Sequence, residues 1–183
     1  MARDILVATC GCGHTRIEAR GAPIIAANCY CDSCRRAGHI FETLPGAPKV
    51  VDNDGGTPFI LYRKDRVVVT NGRETLREHR IKPDSKTRRI VASCCNAPMF
   101  LEFTSGHWLS LYKGRFAPQD QPPVEIRTMT GDRQAGPDFS DGVPSYKTHS
   151  VRFMWQLMKA WAAMGFRAPK VDGIKGELAQ PSR

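Results

Sequence analysis

Cysteine is the residue whose type and spacing could do chemistry in this chain. It occurs as Cys10-Gly11-Cys12, then Cys29-Tyr30-Cys31-Asp32-Ser33-Cys34, then Cys94-Cys95. Thiolates so close together suit convergence on one soft metal ion. Zinc is the first choice, because its filled d shell imposes no geometry and accepts sulfur at tetrahedral corners. Seven cysteines is an odd number, and residues 1–9 lack the long apolar stretch of a secretion signal, so a disulfide framework is not expected. A closed structural site uses four ligands, and the three that remain suit a second site with an open position. Cys29, Cys31 and Cys34 fall within six residues and could face one ion from a single loop, whereas Cys10 and Cys12 need partners from Cys94 or Cys95. Spacing alone does not divide the ligands between the ions, and the plainer alternative is that all seven only staple a small β domain. A thioredoxin-like redox reading of Cys31-x-x-Cys34 is disfavoured, because that motif opens a helix in a βαβ unit and the pattern suggests none.

Other side chains say less. His14, His39, His79, His107 and His149 are scattered, with only His39 near the middle cysteines and no His-Glu-x-x-His pattern. There is no nucleophile elbow, phosphate loop or dinucleotide fingerprint, which leaves hydrolase, kinase and dehydrogenase readings without support.

The elements that must position the cysteines read as β. Short apolar runs recur at 24–28, 59–62, 66–70, 89–93, 99–103, 108–112 and 124–128. Asn71-Gly72 after Val67-Val68-Val69 signals a hairpin, since a type I′ turn needs positive φ at both central residues. With no repeating helix between the runs, a mainly β, antiparallel architecture is expected rather than a parallel α/β sheet. Residues 131–144 turn to Gly, Asp, Pro and Ser, a linker or mobile loop. A helix should follow, with Ser150 as cap, Gly165 as stop, and Val151, Met154, Trp155, Met158, Trp161 and Ala162 as its buried face. The domain reading is a β domain over 1–130, a linker or loop over 131–149, an amphipathic helix over 150–166 and a loosely ordered tail over 167–183.

The motifs resemble a known family. Gly11-Cys12-Gly13, then Cys29 to Gly38, then Arg89 to Phe100 with Cys95-Asn96-Ala97-Pro98-Met99, are similar to the glutathione-dependent formaldehyde-activating enzymes, a family that includes the centromere protein V domain. The likeness covers roughly residues 9–127. It implies an Mss4-like fold of small coiled antiparallel β-sheets stapled by two zinc ions per chain. By position, Cys10, Cys12 and Cys95 match structural ligands, and Cys29, Cys31 and Cys34 match the ligands of the reactive site. The first cysteine of the family's last pair falls on Ala92, so Cys94 is expected to supply the fourth structural sulfur. Neighbours on a strand point to opposite faces, and Cys94-Cys95 therefore needs a bulge or bend.

Three thiolates on Zn²⁺ sum to about −1, a poor generator of hydroxide but a fit holder of an incoming thiol as thiolate. The expectation is a zinc-dependent carbon–sulfur lyase acting on thiol adducts such as S-hydroxymethylglutathione. Arg35 and Arg36 would receive the carboxylates of glutathione. The alternative is a non-enzymatic zinc module that binds nucleic acid or a protein partner through a basic surface. Lys and Arg total 27 against 18 Asp and Glu, a formal +9. Seven thiolates around two zinc ions would lower this by three, to roughly +6. The basic residues form no run of five or more. With 183 residues, 41% of them hydrophobic, and no apolar run of about 18, one cytoplasmic domain with appendages is expected, not a membrane protein. A homo-oligomer is left open.

Overall fold

The computed structural model describes residues 4–134, 138–174 and 176–179. Among these residues ten strands form two sheets. A three-stranded sheet runs in the order β1 (Ile5–Thr9), β2 (Arg16–Arg20), β5 (Val67–Asn71). The seven-stranded sheet runs β10 (Ile126–Thr128), β3 (Ile25–Cys29), β4 (Thr57–Arg63), β9 (Trp108–Tyr112), β8 (Ala97–Phe103), β7 (Thr87–Ala92), β6 (Leu76–His79). All strand pairs are antiparallel except β10 beside β3. This mainly β arrangement of small sheets, with cysteine groups at the strand ends, fits the Mss4-like expectation.

The large sheet is buried on both faces. On β4, Ile60 and Tyr62 face a core shared with Ala8, Ile17 and Ala19 of the small sheet. Phe59 and Leu61, alternating with them, face a second core with Ala37, Phe41, Phe153 and Leu157 from the helices. A strand covered on both sides reads as a continuous apolar run, which is why 59–62 was visible in the sequence.

Three expectations are corrected. Asn71-Gly72 does not close a two-residue hairpin: Gly72 is left-handed at φ 69°, but β5 pairs with β2 while β6 pairs with β7, so the turn passes the chain between sheets. A helix absent from the sequence reading, α1 (Asp32–Glu42), opens directly after β3. Its buried residues Cys34, Ala37, Gly38 and Phe41 hold helical spacing, a signal that is faint because glycine and cysteine mark an apolar helix face weakly. Gly38 lies against Val51, where a Cβ would come within 2.2 Å of a methyl carbon, and this contact sets how closely α1 packs.

The second helix, α2 (Val151–Ala162), begins where expected, with Ser150 Oγ accepting from the Phe153 N–H at 3.1 Å. Its buried face is the correction. Phe153, Leu157 and Met164 are buried and Trp161 is half-buried, whereas Val151, Met154, Trp155 and Met158 are exposed. The helix is apolar nearly all round, so periodicity supported two faces and did not choose between them. The docked face is fixed by His107, whose Nε2 donates to the Leu157 carbonyl at 2.8 Å and whose ring stacks on Trp161. No described helix is long and apolar enough to cross a membrane.

The described parts of the loop and the tail both lie on the β-structure. Tyr146 N–H donates to the Arg127 carbonyl, and Phe139 stacks under the Arg127 and Arg133 guanidinium groups. Leu178 is buried, and its N–H donates to Glu78 on β6.

Candidate metal centres and the cavity beside them

Cys10 and Cys12 lie on the loop joining β1 to β2. Gly13, at φ 81°, lets its N–H return to the Cys10 carbonyl, and the Thr15 N–H donates to Cys10 Sγ at 3.2 Å. Cys94 and Cys95 sit in the turn between β7 and β8, not on a strand, and left-handed Asn96 completes the bend that brings both sulfurs toward Cys10 and Cys12. All four sulfurs lie within 4.8 Å of one another, with Cys12–Cys94 at 3.4 Å, Cys10–Cys12 at 3.5 Å and Cys10–Cys94 at 3.7 Å. Sulfurs at tetrahedral corners around zinc stand about 3.8 Å apart, so the donor set suits that ion. Burial opposes ionisation of Cys10, but the Thr15 N–H and the neighbouring thiols outweigh it and bring the group down to about 6.

The other group is built by the β3–α1 junction. Cys29 ends β3, Cys31 is the helix N-cap and Cys34 lies in the first turn, with all three sulfurs within 4.8 Å of one another. Cys31 Sγ accepts from the Cys34 N–H at 3.4 Å, a thiol doing the work of a capping hydroxyl. Hydrogen bonds from Cys29 and Cys34, that N–H and the charge of Arg89 hold the Cys31 thiol far below its ordinary range. The absence of a helix was one ground for disfavouring a redox reading of Cys31-x-x-Cys34, and the structure removes it. Cys29 close beside the pair instead makes a three-sulfur group that could hold a metal ion.

Each group is accompanied by a buried arginine. Arg89, on β7, is 1% exposed and donates from Nη2 to the Ser33 carbonyl at 2.9 Å and to Ser33 Oγ at 2.7 Å, while its Nε has no partner among the described residues. Burial lowers Arg115, and the negative charge of Cys95 and Cys10 opposes that shift.

The three-cysteine group opens into a cavity of about 400 Å³ between the large sheet and α2. Its wall includes Phe59, Leu61, Leu101, Trp108, Phe153 and Leu157, with Arg89 inside and His149 at an exposed position. Arg35 and Arg36 are not among the lining residues. Arg35 pairs with Asp32 and donates to the Asp132 carbonyl at 2.9 Å, while Arg36 is exposed on α1. Sequence reasoning thus grouped the cysteines and missed Arg89, His149 and the apolar wall. Arg89 is far from the middle cysteines in sequence, and only the sheet topology brings it beside them.

Residues 5–45 match the model of a family described as glutathione-dependent formaldehyde-activating enzyme, a span holding the first cysteine pair, the middle three and α1. Among solved structures, a Rhodobacter sphaeroides protein from a structural-genomics programme is similar, with 18% identity and a TM-score of 0.46, over 65% of this chain and 97% of that one. No curated protein matches this chain.

Proposed function

We propose that this chain, whose residues 5–45 carry the signature of the glutathione-dependent formaldehyde-activating enzymes, is a zinc-dependent protein of carbon–sulfur lyase type that handles thiol adducts. The observation that carries the reading is a group of three thiols open to a cavity that also holds a buried guanidinium with a free Nε. Cys10, Cys12, Cys94 and Cys95 would hold a structural zinc, and Cys29, Cys31 and Cys34 a second one. Bound there, zinc would supply Lewis-acid stabilisation of a substrate sulfur as thiolate.

The chain's own residues account for the rest. In an S-hydroxymethyl adduct the O–H proton leaves, the carbon–oxygen double bond forms, and the C–S bond breaks with its electron pair going to sulfur. The products are formaldehyde and a thiolate, and the reverse reaction forms the adduct. Arg89 Nε would receive the oxygen, where charge gathers as the proton departs. His149 would exchange the proton with solvent. The apolar wall excludes water, which would otherwise compete for the aldehyde.

Calorimetry of the zinc-loaded protein with a panel of thiols, glutathione among them, each beside its S-methyl ether, tests this reading. The expected result is that free thiols bind with proton release and their ethers do not. Equal binding of thiol and ether throughout, or none by any member, contradicts it.

A further inference from the structure

Among the described residues Arg89 is the only arginine or lysine lining the cavity over Cys29, Cys31 and Cys34, and it is already engaged with Ser33. The remaining wall is mainly carbon. Phe59 and Leu61 of β4, Leu101 of β8 and Trp108 of β9 form the sheet side, and Phe153 and Leu157 of α2 form the other. Glutathione brings two carboxylates and an ammonium group, and against these the wall sets only the hydroxyls of Ser33, Thr87, Ser110 and Thr128 and the His149 ring, with no second Lys or Arg lining it among the described residues, so its charges lose more hydration than they regain. Aromatic and branched aliphatic bodies instead gain from the same wall by burial and ring contact.

The two basic residues beside the middle cysteines do not supply the missing recognition. Arg35 is engaged with Asp32 and Asp132 and borders a different hollow, with Asn53, Asp54 and Arg133, and Arg36 is exposed on α1. The wall side contributed by α2 is also the side whose face the sequence pattern left open. His107 holds that helix with Phe153 and Leu157 toward the cavity.

Resting on the reading of this site as a thiol-adduct site, we infer that its substrate is an adduct of a small uncharged thiol with an aromatic or branched aliphatic body, in preference to glutathione. The sulfur lies toward the cysteine group, the carbon body lies between the sheet and α2, and the adduct oxygen meets Arg89.

The test is calorimetry of the zinc-loaded protein with benzyl mercaptan, benzyl methyl sulfide and glutathione. Benzyl mercaptan should bind about tenfold or more tighter than glutathione, since its ring is buried without uncompensated charge. Met154 lines the cavity and is half-exposed, so Met154→Lys leaves the core intact and puts a cation at the wall. That variant should keep the zinc content of the parent, weaken benzyl mercaptan about tenfold and narrow its advantage over glutathione. Glutathione binding as tightly as benzyl mercaptan, or tighter, overturns the inference and leaves the thiol reading standing. Equal binding of benzyl mercaptan and benzyl methyl sulfide overturns the thiol reading itself. An unchanged preference in Met154→Lys also overturns the inference, because the wall would then not be what selects.

Discussion

Thiolates gathered without countercharge repel one another, and the two buried arginines are this protein's answer at the residue scale. Hydrogen bonds from Cys29 and Cys34 lower Cys31 and the charge of Arg89 adds to them, while burial lowers Arg115 and the charge of Cys95 and Cys10 opposes that shift. Each guanidinium keeps its Nε without a partner among the described residues. The two groups should differ in what they do for the fold. The four-sulfur group brings the β1–β2 loop and the β7–β8 turn together across the sequence, so a metal ion held there would couple its binding to folding. The three-sulfur group lies within one junction, and in Cys31→Ser a hydroxyl can still cap α1 in place of the thiol. Thermal unfolding of the metal-loaded protein should therefore show a large loss of stability for Cys95→Ser and a small one for Cys31→Ser. Equal shifts would remove the distinction between a structural and a reactive group.

Among the elements, α2 decides whether the cavity has a second wall, and its anchor is titratable. Burial holds both His107 and His79 below their ordinary value of 6.5, because the charged form loses hydration. The unfolded chain then binds more protons than the folded one below that value. Stability should be full above pH 6.5 and fall as the pH drops through it. Melting curves at about pH 7.5 and about pH 5.5 check this, and a His79→Phe, His107→Gln double variant should show a flatter profile. An equally steep profile in the double variant would assign the acid sensitivity elsewhere. The same helix illustrates what sequence could and could not say. Its existence and its Ser150 cap were legible, because capping and helical apolar spacing are local. Its docked face was not, since Met154, Trp155 and Met158 are as apolar as Phe153 and Leu157, and only a partner such as His107 distinguishes them. Strand β4 was legible because burial on both faces leaves a continuous apolar run, while β2 and β6 mix charged with apolar residues and give no such run.

For the whole molecule, net charge overstates the basic surface. Lys64, Arg89, Arg115 and Arg127 are buried, and Lys64 is paired with Glu102 at 2.5 Å inside the structure. Cations held internally do not meet phosphate, which weighs against a nucleic-acid module and toward a small-molecule site. That the cysteines converge as metal ligands was legible from spacing, and their division into two groups came from the family resemblance. Cys94 stood out only through its departure from the family pattern, and the turn at residues 93–96 explains how adjacent cysteines face the same way. The cavity was illegible because its walls come from strands and a helix far apart in sequence.

If seven thiols divide into a four-sulfur and a three-sulfur metal site, the metal content of the chain follows from that division. Elemental analysis of the purified protein and of Cys34→Ser should find close to two zinc ions per chain in the first and one in the second, with the variant still folded. One ion or none in the unmodified protein, or two retained by Cys34→Ser, would contradict the division.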